Sequence, residues 1–385
     1  MLLRTTPRRS LPSTSRMISA FASLATPRSR RTSGHTFTAV FLASALAFAQ
    51  VASTPRSVAT EGPRRRATIG WTSAKPSQPF VDLEIGGVTT HALIDTGASD
   101  HVVAQAVLDK AALPTVALRA QGVDHGAGSM TLRGLGHTAV SIPGFGPLEA
   151  SLSTARDGLA FAVASVHPRF QELGLGAFVS PQRLVTAGHA IVVDLVHGEL
   201  LEVPLSQVRP ALEAIGPHSL FTTTPTSCTH GTGSRPGTTW MIDALVEGSP
   251  ARLLVDTGAA FGDLFRDSAI GRALVTRQAS TTTMITARQS LETARIDDLT
   301  VRVGDVQRSK LRWNVVESQG KPVCPYDGVL GIDVLRHCAL AFDGRSVSGR
   351  CEALEDPVHA ARKNSRKQPA QPARKKNGPR KKNDR

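Results

Sequence analysis

The 385-residue sequence predicts an all-β protein of two related lobes. Three observations carry that prediction. An apolar run leads into Asp-Thr-Gly-Ala twice, as Ala92-Leu93-Ile94-Asp95-Thr96-Gly97-Ala98 and as Leu253-Leu254-Val255-Asp256-Thr257-Gly258-Ala259. Each copy follows a strand-like segment and a turn in the same register: Gly87 lies eight residues before Asp95, and Gly248 eight before Asp256. Each copy is followed by an apolar stretch ending in glycine, then by a further strand and turn. One Asp-Thr-Gly turn is weak evidence, because these are ordinary turn residues. Two with matched flanks are strong.

In the first lobe, Phe80-Val81-Asp82-Leu83-Glu84-Ile85 alternates as a half-buried strand does, and Gly86-Gly87 supplies a hairpin turn. The run into Asp95 is a buried strand that delivers one carboxylate to a tight turn, where Gly97 allows close backbone approach. The later glycine motif reads as Leu173-Gly174-Leu175-Gly176, 81 residues after Asp95 at Gly176. Ile191-Val192-Val193-Asp194 with the His197-Gly198 turn closes the lobe. In the second lobe, Trp240 to Val246 and the Glu247-Gly248-Ser249-Pro250 turn precede the Asp256 copy. Its glycine motif, Asp327-Gly328-Val329-Leu330-Gly331, ends 75 residues after Asp256, and Ala339-Leu340-Ala341-Phe342-Asp343 with Gly344 closes it.

These residues resemble the aspartic proteases, over residues 75–352. The Asp-Thr-Gly-Ala form is similar to the retropepsin-like branch, while two lobes in one chain are similar to the pepsins. The resemblance implies a bilobal acid-protease fold, two β-barrel-like lobes with the active site at their interface. Asp95 and Asp256 would then be the catalytic dyad. Thr96 and Thr257 would lock the two loops together by hydroxyl-to-backbone hydrogen bonds. Gly97, Ala98, Gly258 and Ala259 would complete the loops, with Gly176 and Gly331 behind them. Two features depart from the family: the first glycine motif is poor, and the chain's one tyrosine, Tyr326, is not where the pepsin flap has one. The glycine-rich stretch 121–129 lies where the family places its flap, and reads either as that flap or as a plain surface loop.

The remaining segments organise around those lobes. Residues 1–35 carry seven arginines and no acid, followed by a thirteen-residue apolar run ending in Ala47-Phe48-Ala49. Residues 1–49 therefore read as a secretory signal peptide, the run being short for a bilayer span; an uncleaved membrane anchor is the alternative. Residues 50–74 read as a disordered linker, 75–212 as the first lobe, 213–238 as the interlobe connection and 239–354 as the second lobe. The tail, 355–385, has eleven Lys or Arg from residue 357 onward against one acid, and reads as disordered. Leader and tail together outweigh the chain's +14, so the folded body is mildly acidic. The tail would attract anionic surfaces weakly, and no nucleic-acid-binding motif accompanies it.

All four cysteines, Cys228, Cys324, Cys338 and Cys351, fall in or just before the second lobe. An even count in an exported chain suggests disulfides, with three connectivities open. A two-residue turn at Gly344-Arg345 would set Cys338 opposite Cys351 and leave Cys228 for Cys324. No Cys-x-x-Cys pair is present, so a zinc site is disfavoured. Leu184-Val185-Thr186-Ala187-Gly188-His189 looks like the histidine segment of trypsin-like proteases, but no Gly-Asp-Ser-Gly-Gly-like turn follows. His189 reads as a structural or surface residue.

The chemistry expected is hydrolysis of an extended peptide by a water activated between two carboxylates, with no metal or cofactor. The in-chain duplication makes a second chain unnecessary, so a monomer with an internal pseudo-dimer is expected. The runner-up is a pseudoprotease that binds peptides without turnover.

Overall fold

The computed structural model describes residues 63–352 apart from 125–127, 136–137, 149–160, 222–224, 231–236, 278–279, 287–288 and 319–323. The leader, the basic tail and the tip of the glycine-rich hairpin lie outside the described residues.

Alternation writes the first strands. In Pro79–Ile85, Val81, Leu83 and Ile85 are fully buried while Asp82 and Glu84 face solvent. The strand pairs antiparallel with Val88–Ile94 through the Gly86-Gly87 turn, whose φ angles are +55° and +82°. Glu247-Gly248 makes the equivalent turn between Gly237–Val246 and Ser249–Val255, with φ of +52° and +80°. Positive φ at both central residues gives these turns the twist that antiparallel strands need.

Each hairpin belongs to a larger sheet, and the two sheets share one strand order. The first runs Thr115–Asp124, Gly128–Leu135, Phe161–Ala164, His101–Ala104, Leu175–Val179, Val88–Ile94, Pro79–Ile85. The second runs Ser280–Ile285, Ser290–Val303, Val306–Val316, Asp263–Phe265, Gly328–Leu330, Ser249–Val255, Gly237–Val246. They correspond one for one. In each, the strand that ends in aspartate pairs in parallel with the strand of the later apolar motif. Past the shared order the first sheet continues into Val140–Ile142 and Gly146–Leu148, and the second into Thr226–His230.

A third sheet has six strands, in the order Arg65–Thr68, Glu199–Pro204, His189–Asp194, Cys338–Phe342, Val347–Cys351, His218–Ser219. Its central pair joins the two halves of the chain antiparallel, Ile191 opposite Phe342 and Val193 opposite Leu340. Ile191, Val193, Leu340 and Phe342 face a core shared with both other sheets. The opposite face carries Ala190, Val192, Ala339 and Ala341, covered by Leu212 of the helix Val208–Ile215.

Three expectations about segments need correction. Residues 50–74 are not all linker, because Arg65–Thr68 and Gly70–Trp71 are strands. Arg65 supplies the ion pair that the fully buried Glu202 requires, at 2.6 Å, and Ala67 and Ile69 enter the core. Residues 213–238 are not a plain connection either. They hold the end of the helix, His218–Ser219 and Thr226–His230, which pairs with Gly237–Val246. Residues 189–212 lie outside the first sheet, in and over the six-stranded one. The cysteines form Cys228–Cys324 and Cys338–Cys351, the latter directly opposite across the Cys338–Phe342/Val347–Cys351 hairpin.

Candidate active site

The strands Val88–Ile94 and Ser249–Val255 end where Asp95 and Asp256 begin. Each aspartate's amide is tied to the parallel neighbour: Asp95 N–H donates to Val179 O at 2.9 Å and Asp256 N–H to Leu330 O at 3.1 Å. The carboxylates are thus carried on the ends of strands buried on both faces, which hold position better than free loops.

The two turns interlock through their threonines. Thr96 Oγ1 donates to Val255 O at 2.9 Å and accepts from Thr257 N–H at 3.0 Å. Thr257 Oγ1 donates to Ile94 O at 2.6 Å and accepts from Thr96 N–H at 3.2 Å. Both residues are buried, at 1% and 0% exposure, so each hydroxyl is satisfied as donor and as acceptor with no recourse to water. The glycines then face the opposite carboxylate. A Cβ on Gly97 would stand 2.6 Å from Asp256 Cγ, and one on Gly258 would stand 2.8 Å from Asp95 Cγ. Any side chain at either position would push the pair apart.

The carboxyls of Asp95 and Asp256 are hydrogen-bonded to each other. Burial, then the charge of Asp256, holds Asp95 well above the usual carboxylate range; amide hydrogen bonds from Ala98 and Gly97 oppose this without cancelling it. Ala98 N–H donates to Asp95 Oδ1 and Gly258 N–H to Asp256 Oδ1, both at 2.8 Å. Two carboxyls that interact in this way lose their protons in steps that belong to the pair rather than to either residue.

Residues 242–334 match the family model described as aspartyl protease. The matched segment runs from within Gly237–Val246 to the helix Ile332–Leu335 and leaves out the Asp95 half. No curated protein matches the chain.

Behind the Asp256 turn, a Cβ on Gly331 would meet Phe261 O at 2.5 Å, and Ile332 N–H donates to Ala259 O at 2.8 Å. Gly176 does not hold the matching place. Register sets Val179 against Ile94 as Leu330 is set against Val255, so the counterpart of Gly331 is Ser180. Gly176 lies four residues earlier, at a bulge against Thr90 and Val107. Ser180 is fully buried and its Oγ donates to Ala98 O at 2.7 Å, doing with a hydroxyl what the other half does with an amide. The signal for it in the sequence is the apolar pair Phe178-Val179 directly before it, which matches Val329-Leu330.

Other supporting residues carried no signal in the repeat. Gln182 Nε2 donates to Ala98 O at 2.8 Å and across to Thr238 O at 2.9 Å, and Gln78 Nε2 reaches Gly258 O at 2.5 Å. His101 is buried against Phe161, with ring centroids 4.8 Å apart, and accepts Ser180 N–H at Nδ1. Burial, reinforced by Arg183, pushes its pKa down to about 3, so it is a neutral structural imidazole. Asp263 accepts Asn314 Nδ2–H at 2.7 Å, and Asp333 accepts Trp313 Nε1–H at 2.9 Å. Burial pushes the first up to about 7 and the second to about 6. His189 is half-buried at the start of the strand His189–Asp194, its Nδ1 beside Ala187 O at 3.1 Å. Among the described residues no group of His, Cys, Asp and Glu is arranged to hold a metal ion.

Proposed function

We propose that the chain is an exported, bilobal aspartic endopeptidase with Asp95 and Asp256 as its catalytic dyad. The observation that carries the reading is the reciprocal threonine lock, because it fixes two buried carboxyls at contact distance where their repulsion would otherwise separate them. The shared strand order of the two sheets and the family match over 242–334 support it further.

The reaction follows from one proton shared by two carboxyls. The ionised group takes a proton from a water held between them, and the resulting hydroxide adds to the scissile carbonyl carbon. The protonated group gives its proton to the carbonyl oxygen. The tetrahedral diol then collapses: the C–N bond breaks, the amine leaves with a proton and the dyad returns to its starting charge. An extended peptide would bind as an added strand, and the hairpin of Thr115–Asp124 and Gly128–Leu135 would close over it as a lid. Two disulfides fit an oxidising compartment, and no described helix is long and apolar enough to cross a membrane.

The test is cleavage of a mixed peptide library by purified protein, followed by mass spectrometry, with and without a transition-state-mimicking aspartic protease inhibitor. Inhibitable cleavage is expected in mildly acidic buffer. Asp95→Asn and Asp256→Asn should each lower kcat/KM by about a thousandfold or more while the thermal midpoint stays near wild type. Turnover close to wild type in either variant overturns the dyad.

A further inference from the structure

We propose that Asp263 sets the specificity of the cleft on the Asp256 side, where it takes a basic side chain of the substrate, while Val102 makes the mirror subsite beside Asp95 apolar. The proposal rests on the peptidase reading above and deepens it to a class of substrate.

Register fixes the correspondence. Val102 lies opposite Phe178 on one side and Ala162 on the other; Asp263 lies opposite Val329 and Asn314. Phe178 and Val329 are matching residues of the two apolar motifs, so Val102 and Asp263 occupy one position in two sheets. Both are only partly buried. Val102 packs with Leu93 and Phe178 in an apolar cluster on the sheet face away from the central core. On the matching face, Leu254 and Val329 cluster with Ala259 of the dyad turn and with Tyr326. Ala259 brings that face up to the Asp256 turn, and the charge of Asp256 acts on both Asp263 and Tyr326.

A carboxyl in such a wall is not a packing choice, since its counterpart is valine. Asn314 satisfies one oxygen of Asp263, and the other makes no hydrogen bond among the described residues. No described cation is paired with it, and its nearest charged neighbours, Asp256 on the adjoining turn and Asp333 on the helix Ile332–Leu335, are also acids. Tyr326 from the opposite loop is held in its neutral form by burial and by Asp256. A lysine or arginine of a bound peptide supplies the missing donor and the missing charge together. Because Asp263 ionises near neutrality, the preference should strengthen as pH rises through about 7.

The experiment compares wild type, Asp263→Val and Asp263→Asn on peptide pairs that differ only by lysine or leucine at each position flanking the scissile bond. Measured at pH 7 or above, wild type should favour lysine by about tenfold in kcat/KM at one position on one side, and leucine at the mirror position. Asp263→Val should abolish the lysine preference, and Val102→Asp should create one on the other side. Cleavage without a basic preference, or one that survives Asp263→Val, overturns the proposal and leaves the peptidase reading intact. Absence of any cleavage overturns the peptidase reading instead. The inference is then judged by fluorescence anisotropy of the same labelled peptides at pH 5 and pH 8. A lysine preference in binding that is lost in Asp263→Val upholds it, and equal binding sinks it. Asp263→Asn keeps a side chain able to pair with Asn314, so loss of preference there without loss of the thermal midpoint separates charge from folding.

Discussion

Behind the Asp95 turn, His101 lies stacked on Phe161; behind the Asp256 turn, Gly262 leaves the same space to Trp313. The register makes these equivalent pairs, Phe161 beside His101 and Trp313 one residue before Asn314. One half divides the volume between two rings of moderate size, and the other gives all of it to one large ring. The polar accounts differ likewise. In the first half Ser180 N–H goes to His101, and Gln182 braces the turn. In the second, Trp313 Nε1–H goes to Asp333, which stands where Gln182 does. The fold demands a filled space and partnered polar atoms at these sites, and different sets of residues meet that demand.

The most disruptive test of that comparison is Gly262→Ala. Its Cβ would fall 2.1 Å from Trp313 Cε2, and the indole is fully buried, so it has nowhere to move. We expect a loss of about 3 kcal/mol in urea unfolding. Trp313→Phe in the same chain should recover part of it, making the double variant less unstable than the two singles summed. Strict additivity would show that Gly262 and Trp313 are not one packing unit.

A second test uses pH, because the two halves bury groups of opposite kind. His101 is held at about 3 in the fold against an ordinary value of 6.5. The unfolded chain therefore binds the extra proton, and stability falls as pH drops from about 6.5 toward 3. Asp263 and Asp333, raised to about 7 and about 6 from 3.8, work the other way: stability is full below about 4 and falls as pH rises to 7. Their counterparts Val102 and Gln182 do not titrate. In thermal unfolding across pH 3–8, His101→Asn should flatten only the acid side of the profile. Asp263→Asn and Asp333→Asn should flatten only the side approaching neutrality. A variant that flattens the opposite side breaks the assignment.

The same comparison explains what was legible in the sequence. Asp-Thr-Gly is repeated because the lock narrows the choice: it needs a donor and an acceptor on one short side chain, and the glycines face carboxylates. The hairpin turns repeat because their backbone needs positive φ. One layer further back the repeat dissolves, because His101 with Phe161 and Gly262 with Trp313 are interchangeable only as sets. Ser180 in place of a glycine is part of the same divergence, and it leaves Gly176 as the glycine nearest in sequence though not in register. The strand Arg65–Thr68 was unreadable for another reason. Its justification, Glu202, lies 137 residues away, and three consecutive arginines look like solvated linker until that partner is known.

The smallest effect expected lies inside the turns themselves, where the two halves look most alike. Ala98 N–H donates to Asp95 Oδ1 at 2.8 Å. On the other turn that donor is Gly258, one residue earlier, and Ala259 N–H points to the main-chain oxygen of Asp256 at 3.4 Å. A residue at 98 therefore has its backbone beside Asp95 Oδ1, while a residue at 259 has its backbone amide on a main-chain oxygen. A donor to a carboxylate favours its charged form and lowers its pKa. Ala98→Ser should shift the acid limb of the kcat/KM profile to lower pH, Ala259→Ser should shift it less, and the double variant should follow the first. Profiles measured on a single peptide decide the matter. Equal shifts from the two single variants would mean that the turns present their carboxylates alike, and no shift from Ala98→Ser would mean that its hydroxyl turns away from Asp95.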